Sequence, residues 1–225
     1  MTDSSIELHT TQVGAGPTVV FLHGLDSDSS VWEPAVQLLA DDYLCVSVDL
    51  PGHGDSPAPD NAESYSRQAV LDQIDRVLAG LASPIVLVGH SLGGYLGLAH
   101  VITRPGSLAG LVLISTGPGF RDDQARAGWN ERVKANTPKY TVSAIAATIA
   151  YHVDSIVIDR IREVDIPVEL VIGSEDLAFA GANDYFEKKL PDVRRTTVEG
   201  ARHYVMKSNP EAVAASVRSL ISRLP

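Results

Sequence analysis

Unbroken apolar runs alternate along the chain with segments whose apolar residues recur every three or four positions, and this alternation sets the architecture. Thr18 to Leu22, Tyr43 to Val48, Ile85 to Val88, Leu108 to Ser115 and Ile166 to Gly173 are rich in β-branched residues, the pattern of strands buried on both faces. Ile6 to Val13 reads as an edge strand and Val193 to Val198 as a last one. Between them, Trp32 to Leu39 carries Trp32, Val36, Leu39 and Ala40 on one helical face, and Ser64 to Leu81 carries Ala69, Ile74, Val77, Leu78 and Leu81. Tyr95 to Ile102 and Ala178 to Leu190 also read as helices. Asn209-Pro210-Glu211 opens a final one, amphipathic through Val213, Val217, Leu220 and Ile221. Strand and helix in this order imply right-handed crossovers and a mostly parallel, doubly wound α/β sheet with helices on both faces.

The alternation pauses from Gly117 to Asp165. The expected organisation is therefore a core made of residues 1–116 and 166–225, with a helical cap or lid at 117–165. Ala125, Trp129 and Val133 form a short stripe at helical spacing. Thr137-Pro138 reads as an N-cap and first helical position, and Val142, Ile145, Ala146, Ile149, Ala150, Val153, Ile156 and Val157 follow on one face, broken near Asp154-Ser155.

The chemistry concentrates where strands end. Ile85 to Val88 stops at Gly89-His90-Ser91-Leu92-Gly93, a G-x-S-x-G elbow in which a serine is held on a sharp strand-to-helix turn. The neighbouring backbones pass so close that Gly89 and Gly93 are needed on either side, and Gly94 lets the next helix press on the strand. The helix start aims its N–H groups at the place where an oxyanion would form. Thr18 to Leu22 ends in His23-Gly24-Leu25, so the Leu25 N–H converges with that of Leu92 on the same point, with His23 orienting the loop. Asp49 follows the next strand and is expected to tie down the Pro51-Gly52 turn rather than to catalyse.

Composition narrows the field. With 225 residues, 44% of them hydrophobic, the chain fits one domain with a substantial core. The net charge is −10 and the 18 Lys and Arg are scattered, which argues against nucleic acid as a partner. The polar start MTDSSIELHTTQ has no signal-peptide pattern and no apolar run is long enough to span a membrane, so a cytoplasmic protein is expected. The lone Cys45 excludes an internal disulfide and reads as a small core residue. No spacing of His, Cys, Asp and Glu suggests a metal site, and no G-x-G-x-x-G suggests a dinucleotide, so no cofactor is expected. The expected partner is a small-molecule substrate, with room for a homodimer.

Of seven histidines, only His203 lies in a loop after the last strand, downstream of Ser91 and of the carboxylates in Ser174-Glu175-Asp176. The order serine, acid, histidine is that of the α/β-hydrolase arrangement. The chain resembles an α/β-hydrolase fold serine hydrolase over nearly its whole length. The resemblance is carried by His23-Gly24, by Asp49 to Ser56, by the Ser91 elbow, by Gly173 to Asp176 and by the His203 loop. It implies Ser91 as nucleophile, His203 as base, Asp176 as orienting acid in preference to Glu175, and the Leu25 and Leu92 N–H groups as the oxyanion hole. It also implies a short lid inserted after the sixth strand. A serine nucleophile sets the chain apart from the haloalkane dehalogenases and epoxide hydrolases, which use aspartate. Leu25 stands where relatives often have a bulky aromatic, and the insert is shorter than many caps. The expected reaction is hydrolysis of a carboxylic ester, or a thioester or lactone, with a small-to-medium apolar acyl group. The Asp49 to Ser56 turn and GHSLGG also resemble lyases of the menaquinone pathway, with Tyr95 where an arginine would favour an anionic substrate. C–C bond hydrolases, perhydrolases and hydrolase-fold ligand sensors use similar arrangements.

Overall fold

The computed structural model describes residues 6–224. The first five residues, part of the polar start read above, lie outside the described residues. Strands β1 (Thr10–Val13), β2 (Thr18–Leu22), β3 (Leu44–Val48), β4 (Ile85–His90), β5 (Gly110–Ile114), β6 (Val168–Gly173) and β7 (Val193–Val198) form one sheet of seven strands. Its order is β1-β3-β2-β4-β5-β6-β7, all parallel except β1, which pairs antiparallel with β3 at the edge. β4, which delivers Ser91, is therefore the central strand.

Among the described residues eight α-helices accompany the sheet: α1 (Glu33–Leu39), α2 (Arg67–Ala79), α3 (Leu92–Thr103), α4 (Asp123–Asn136), α5 (Ile156–Arg160), α6 (Leu177–Lys189), α7 (Val205–Ser208) and α8 (Pro210–Ile221). The two-residue period of each strand divides the core. Val20 and Leu22 pack on one face with residues of α2 and α3, while Val19 and Phe21 pack on the other against Trp32, Val36 and the α8 residues Val213 and Val217. Cys45 of β3 belongs to the second cluster and is 1% exposed. Burial pushes its thiol pKa up to about 11.

Three expectations are corrected. The expected helix from Ser64 to Leu81 is a 3-10 turn, Ala62–Tyr65, then a break at Ser66, whose extended backbone lets its side chain cap the Ala69 N–H and start α2. The segment after Thr137-Pro138 is not one helix. Thr137 closes α4 and opens a 3-10 turn, Thr137–Lys139, and only a 3-10 turn at Ala146–Ala150 and the short α5 follow. Thr141, Val142, Ile145, Thr148, Ile149 and Val153 are β-branched and disfavour helix there. Val153, expected on the apolar face, is 71% exposed. Finally, the insert follows β5, the fifth strand and not a sixth, because the N-terminal stretch supplies only one short described strand before β2.

Candidate active site

The elbow is built by close approach. Ser91 has φ 50 and ψ −110, and its N–H donates to the Ile114 carbonyl at the end of β5 (2.9 Å). Its own carbonyl accepts the Thr116 hydroxyl at 2.6 Å and the Tyr95 N–H at 3.0 Å. A Cβ on Gly89 would lie 2.6 Å from the backbone of Gly93 and Gly94, and one on Gly93 would collide with the Leu22 carbonyl. α3 thus crosses directly over the ends of β4 and β2, with Ser91 at its N-cap.

The His23-Gly24 turn presses on the elbow from the side. His23 Nδ1–H donates to the Gly24 carbonyl (2.7 Å) and Nε2 accepts the Leu50 N–H (3.0 Å), which fixes a neutral tautomer. Burial, reinforced by nearby His53, lowers the His23 pKa to about 4. A Cβ on Gly24 would lie 2.8 Å from His90 Nδ1 and 3.3 Å from Ser91 Cβ, so the turn and the elbow touch. The Leu25 and Leu92 N–H groups, expected to form the oxyanion hole, donate to no other group among the described residues.

His203 approaches from the loop after β7. Its Nδ1 is 3.0 Å from Asp176 Oδ2, and Asp176 is buried after β6. Donation from Nδ1 leaves Nε2 with a lone pair. The ring stacks on Phe179 at 5.0 Å between centroids, and the His203 carbonyl accepts a hydrogen bond from His90 Nε2 at 3.0 Å. Glu175 instead meets Arg202 Nε at 2.9 Å on the surface. Among the described residues Ser91 Oγ shares no hydrogen bond with the imidazole; in unliganded sites such contacts tighten only once substrate binds. The other histidines hold structure. His53 Nδ1 donates to the Pro51 carbonyl, and His100 lies between Asp75 and Ser107.

Asp49 holds a knot beside the site. Burial opposes its ionisation, but the N–H groups of Asp55 and Ser29 and the His9 ring outweigh it and hold the carboxyl below its usual range. The turn is thus tied at Asp55, and α1's approach at Ser29, rather than at Pro51-Gly52. The fold brings His9, Asp49 and Asp55 into a grouping that could hold a cation, which no sequence spacing announced. Asp49 already spends both oxygens on protein donors there.

Three features of the surroundings were not legible in the sequence. Arg67 of α2 forms a bidentate pair with Asp154 of the insert (2.8 and 2.6 Å) and reaches the Tyr95 hydroxyl at 3.3 Å, one turn along α3 from Ser91. His152 lies against the rings of Tyr95, Phe120 and Trp129, its backbone held on both sides by Asn130. Burial, together with Arg67, lowers its pKa to about 4. Asp26 joins the loop after Leu25 to the insert at Thr141. A cavity of about 300 Å³ is bounded by Asp26, Ser30, Val31, Tyr204 and Lys207; Asp26 and Tyr204 follow Leu25 and His203 in the chain.

A parallel sheet carrying a strand–serine–helix turn at the carboxyl end of its central strand defines a hydrolase-type α/β protein. The chain belongs to the alpha/beta hydrolase family, whose model matches residues 19–216. It is similar to 2-(acetamidomethylene)succinate hydrolase of Mesorhizobium japonicum, 27% identical, with 96% of this chain and 92% of the relative covered. It is also similar to 2-succinyl-6-hydroxy-2,4-cyclohexadiene-1-carboxylate synthase of Enterobacter sp., 28% identical over 91% of this chain and 92% of the relative. Among solved structures, an esterase from Exiguobacterium antarcticum superposes with a TM-score of 0.83 at 17% identity, covering 98% of this chain and 97% of the other; at that identity the likeness is one of fold. No described helix is long and apolar enough to cross a membrane.

Proposed function

We propose that the protein is a serine hydrolase that cleaves a carboxylic ester, thioester or lactone with a small-to-medium apolar acyl group. The observation that carries this reading is the Asp176–His203 hydrogen bond of 3.0 Å, presented by loops that touch the Ser91 elbow. A serine hydroxyl is a weak nucleophile, so His203 Nε2 takes its proton as Oγ attacks the acyl carbon. Asp176 holds the tautomer and stabilises the imidazolium. The oxyanion is received by the Leu25 and Leu92 N–H groups, each such donor typically worth ~3 kcal/mol in the transition state. His203 then returns the proton to the leaving alcohol or thiol. Water, activated by the same imidazole, releases the acid and frees Ser91. The insert closes the site with aliphatic and aromatic side chains, which sets the acyl preference.

The test is labelling with a fluorophosphonate, read by intact mass, alongside p-nitrophenyl ester turnover across acyl lengths. Wild type should gain one adduct and Ser91→Ala none, with turnover abolished by the same substitution. Undiminished turnover by Ser91→Ala would reject the reading.

A second reading is favoured by the Arg67 guanidinium, which, paired with Asp154, also reaches the Tyr95 hydroxyl and places a polar pair near the elbow from a different element. The two full-length relatives described above are both named for carboxylate-bearing compounds. In a lyase of the menaquinone-pathway type the same histidine and serine remove a proton and no acyl-serine forms. Folded wild type that gains no adduct and turns over no ester would favour it.

A further inference from the structure

Asp26 follows the oxyanion-loop residue Leu25 directly and has φ 58, a backbone region that side-chain-bearing residues rarely adopt. Glycine would occupy it without strain, yet the chain places a carboxylate there. One oxygen of that carboxylate, Oδ1, accepts three hydrogen bonds from the insert: the Thr141 N–H at 2.6 Å, the Thr141 hydroxyl at 2.7 Å and the Val142 N–H at 3.3 Å. The two ends of this contact are 115 residues apart in sequence. They join the loop that presents one expected oxyanion donor to the segment where the insert fails to form a helix. Those N–H groups have no helical partner to lose, and charged acceptors make the stronger hydrogen bonds.

The loop is therefore held from two sides. From the core side, His23 fixes the Gly24 carbonyl and accepts from Leu50, and Gly24 rests on His90 and Ser91. From the outer side, Asp26 is gripped by Thr141 and Val142. We propose that Asp26 is a positioning residue that clamps the insert to the oxyanion loop, so that the Leu25 N–H is correctly aimed only when the insert is seated. This rests on the hydrolase reading above for its catalytic consequence. The clamp itself is independent of that reading.

The experiment compares Asp26→Gly, which removes the carboxylate and relaxes the backbone, with Asp26→Asn, which keeps an acceptor oxygen and tolerates the same φ. Hydrogen exchange of peptides covering 23–27 and 139–144 is measured on each full-length variant, with kcat and KM for the best ester substrate. The expected result for Asp26→Gly is faster exchange in both segments together, a kcat reduced ten- to a hundredfold and a KM changed less than threefold. Asp26→Asn should stay within about threefold of wild type in kcat and keep its protection. Unchanged exchange in Asp26→Gly overturns the clamp. Faster exchange with kcat intact, in a protein whose turnover Ser91→Ala abolishes, overturns the positioning role. Turnover that survives Ser91→Ala rejects the hydrolase reading instead, and the exchange data still decide the clamp.

Discussion

Ser91, Gly89 and Gly93 show how little freedom a single position has when three backbones converge. The serine tolerates φ 50 because the Ile114 carbonyl, the Thr116 hydroxyl and the first turn of α3 all hold it. Gly89 has no positive φ, so its requirement is purely one of space: the missing Cβ would sit 2.6 Å from the Gly93 and Gly94 backbone. Since no flexible side chain is there to yield, Gly89→Ala should destabilise by about 3 kcal/mol or more, at the upper end of overpacking costs. Urea unfolding of the variant checks this, and a loss below 1 kcal/mol would mean that α3 shifts freely on β4. The elbow, the His23-Gly24 turn and the His203 loop were legible because each is a short motif at a strand end. Phe179 against His203, Arg67 against Tyr95 and Asp26 against Thr141 were not, because those contacts join distant segments and leave no periodicity or spacing to read.

At the scale of elements, the five inner strands β2 to β6 were legible from apolar runs alone, since burial on both faces leaves little choice of residue. Helix boundaries followed less well. The apolar positions of Ser64 to Leu81 match a single helix, but Ser66 competes for backbone N–H groups and resets the start. Ser66→Ala should therefore cost about 1 kcal/mol, the usual value of an N-cap. For a domain of this size that lowers Tm by roughly 2–4 °C, measurable by calorimetry. The insert was legible as an interruption carrying apolar stripes, yet not as α4 followed by 3-10 turns and the short α5. Its conformation is set by what it touches: Asp26 and Arg67 satisfy part of it from the core, and Asn130 of α4 satisfies part of it from within the insert. A stripe of apolar residues cannot report such partners.

For the whole molecule, several histidines are buried and kept neutral. His23 and His152 are lowered to about 4, and His53, His90 and His100 are also lowered, burial being the first cause in each. In the unfolded chain each titrates near its ordinary value of about 6.5. Between pH 6.5 and 4 the unfolded state therefore binds more protons, and stability falls as pH falls through that window. His23 alone should contribute a loss of about 2 kcal/mol on going from pH 7 to pH 5. Urea midpoints at the two pH values test the sum, and His23→Gln, which keeps a polar side chain but cannot titrate, should flatten the slope. A midpoint independent of pH over this range would contradict the buried, neutral assignment.

Cys45, the single thiol, lies in β3 between the edge strand and β2, in the same buried cluster as Trp32 and Phe21. The buried residues of the insert pack in the other cluster, so displacing the insert leaves Cys45 covered; the layer of α1 and α8 over this face must open. With its thiolate suppressed by burial, it ignores alkylating reagents in the native state and reacts once when the core is breached. The slow rate at which a native sample consumes such a reagent is then a clock for opening of the core. A second cysteine placed at the exposed Val153 could carry a fluorophore on the insert while Cys45 stays silent.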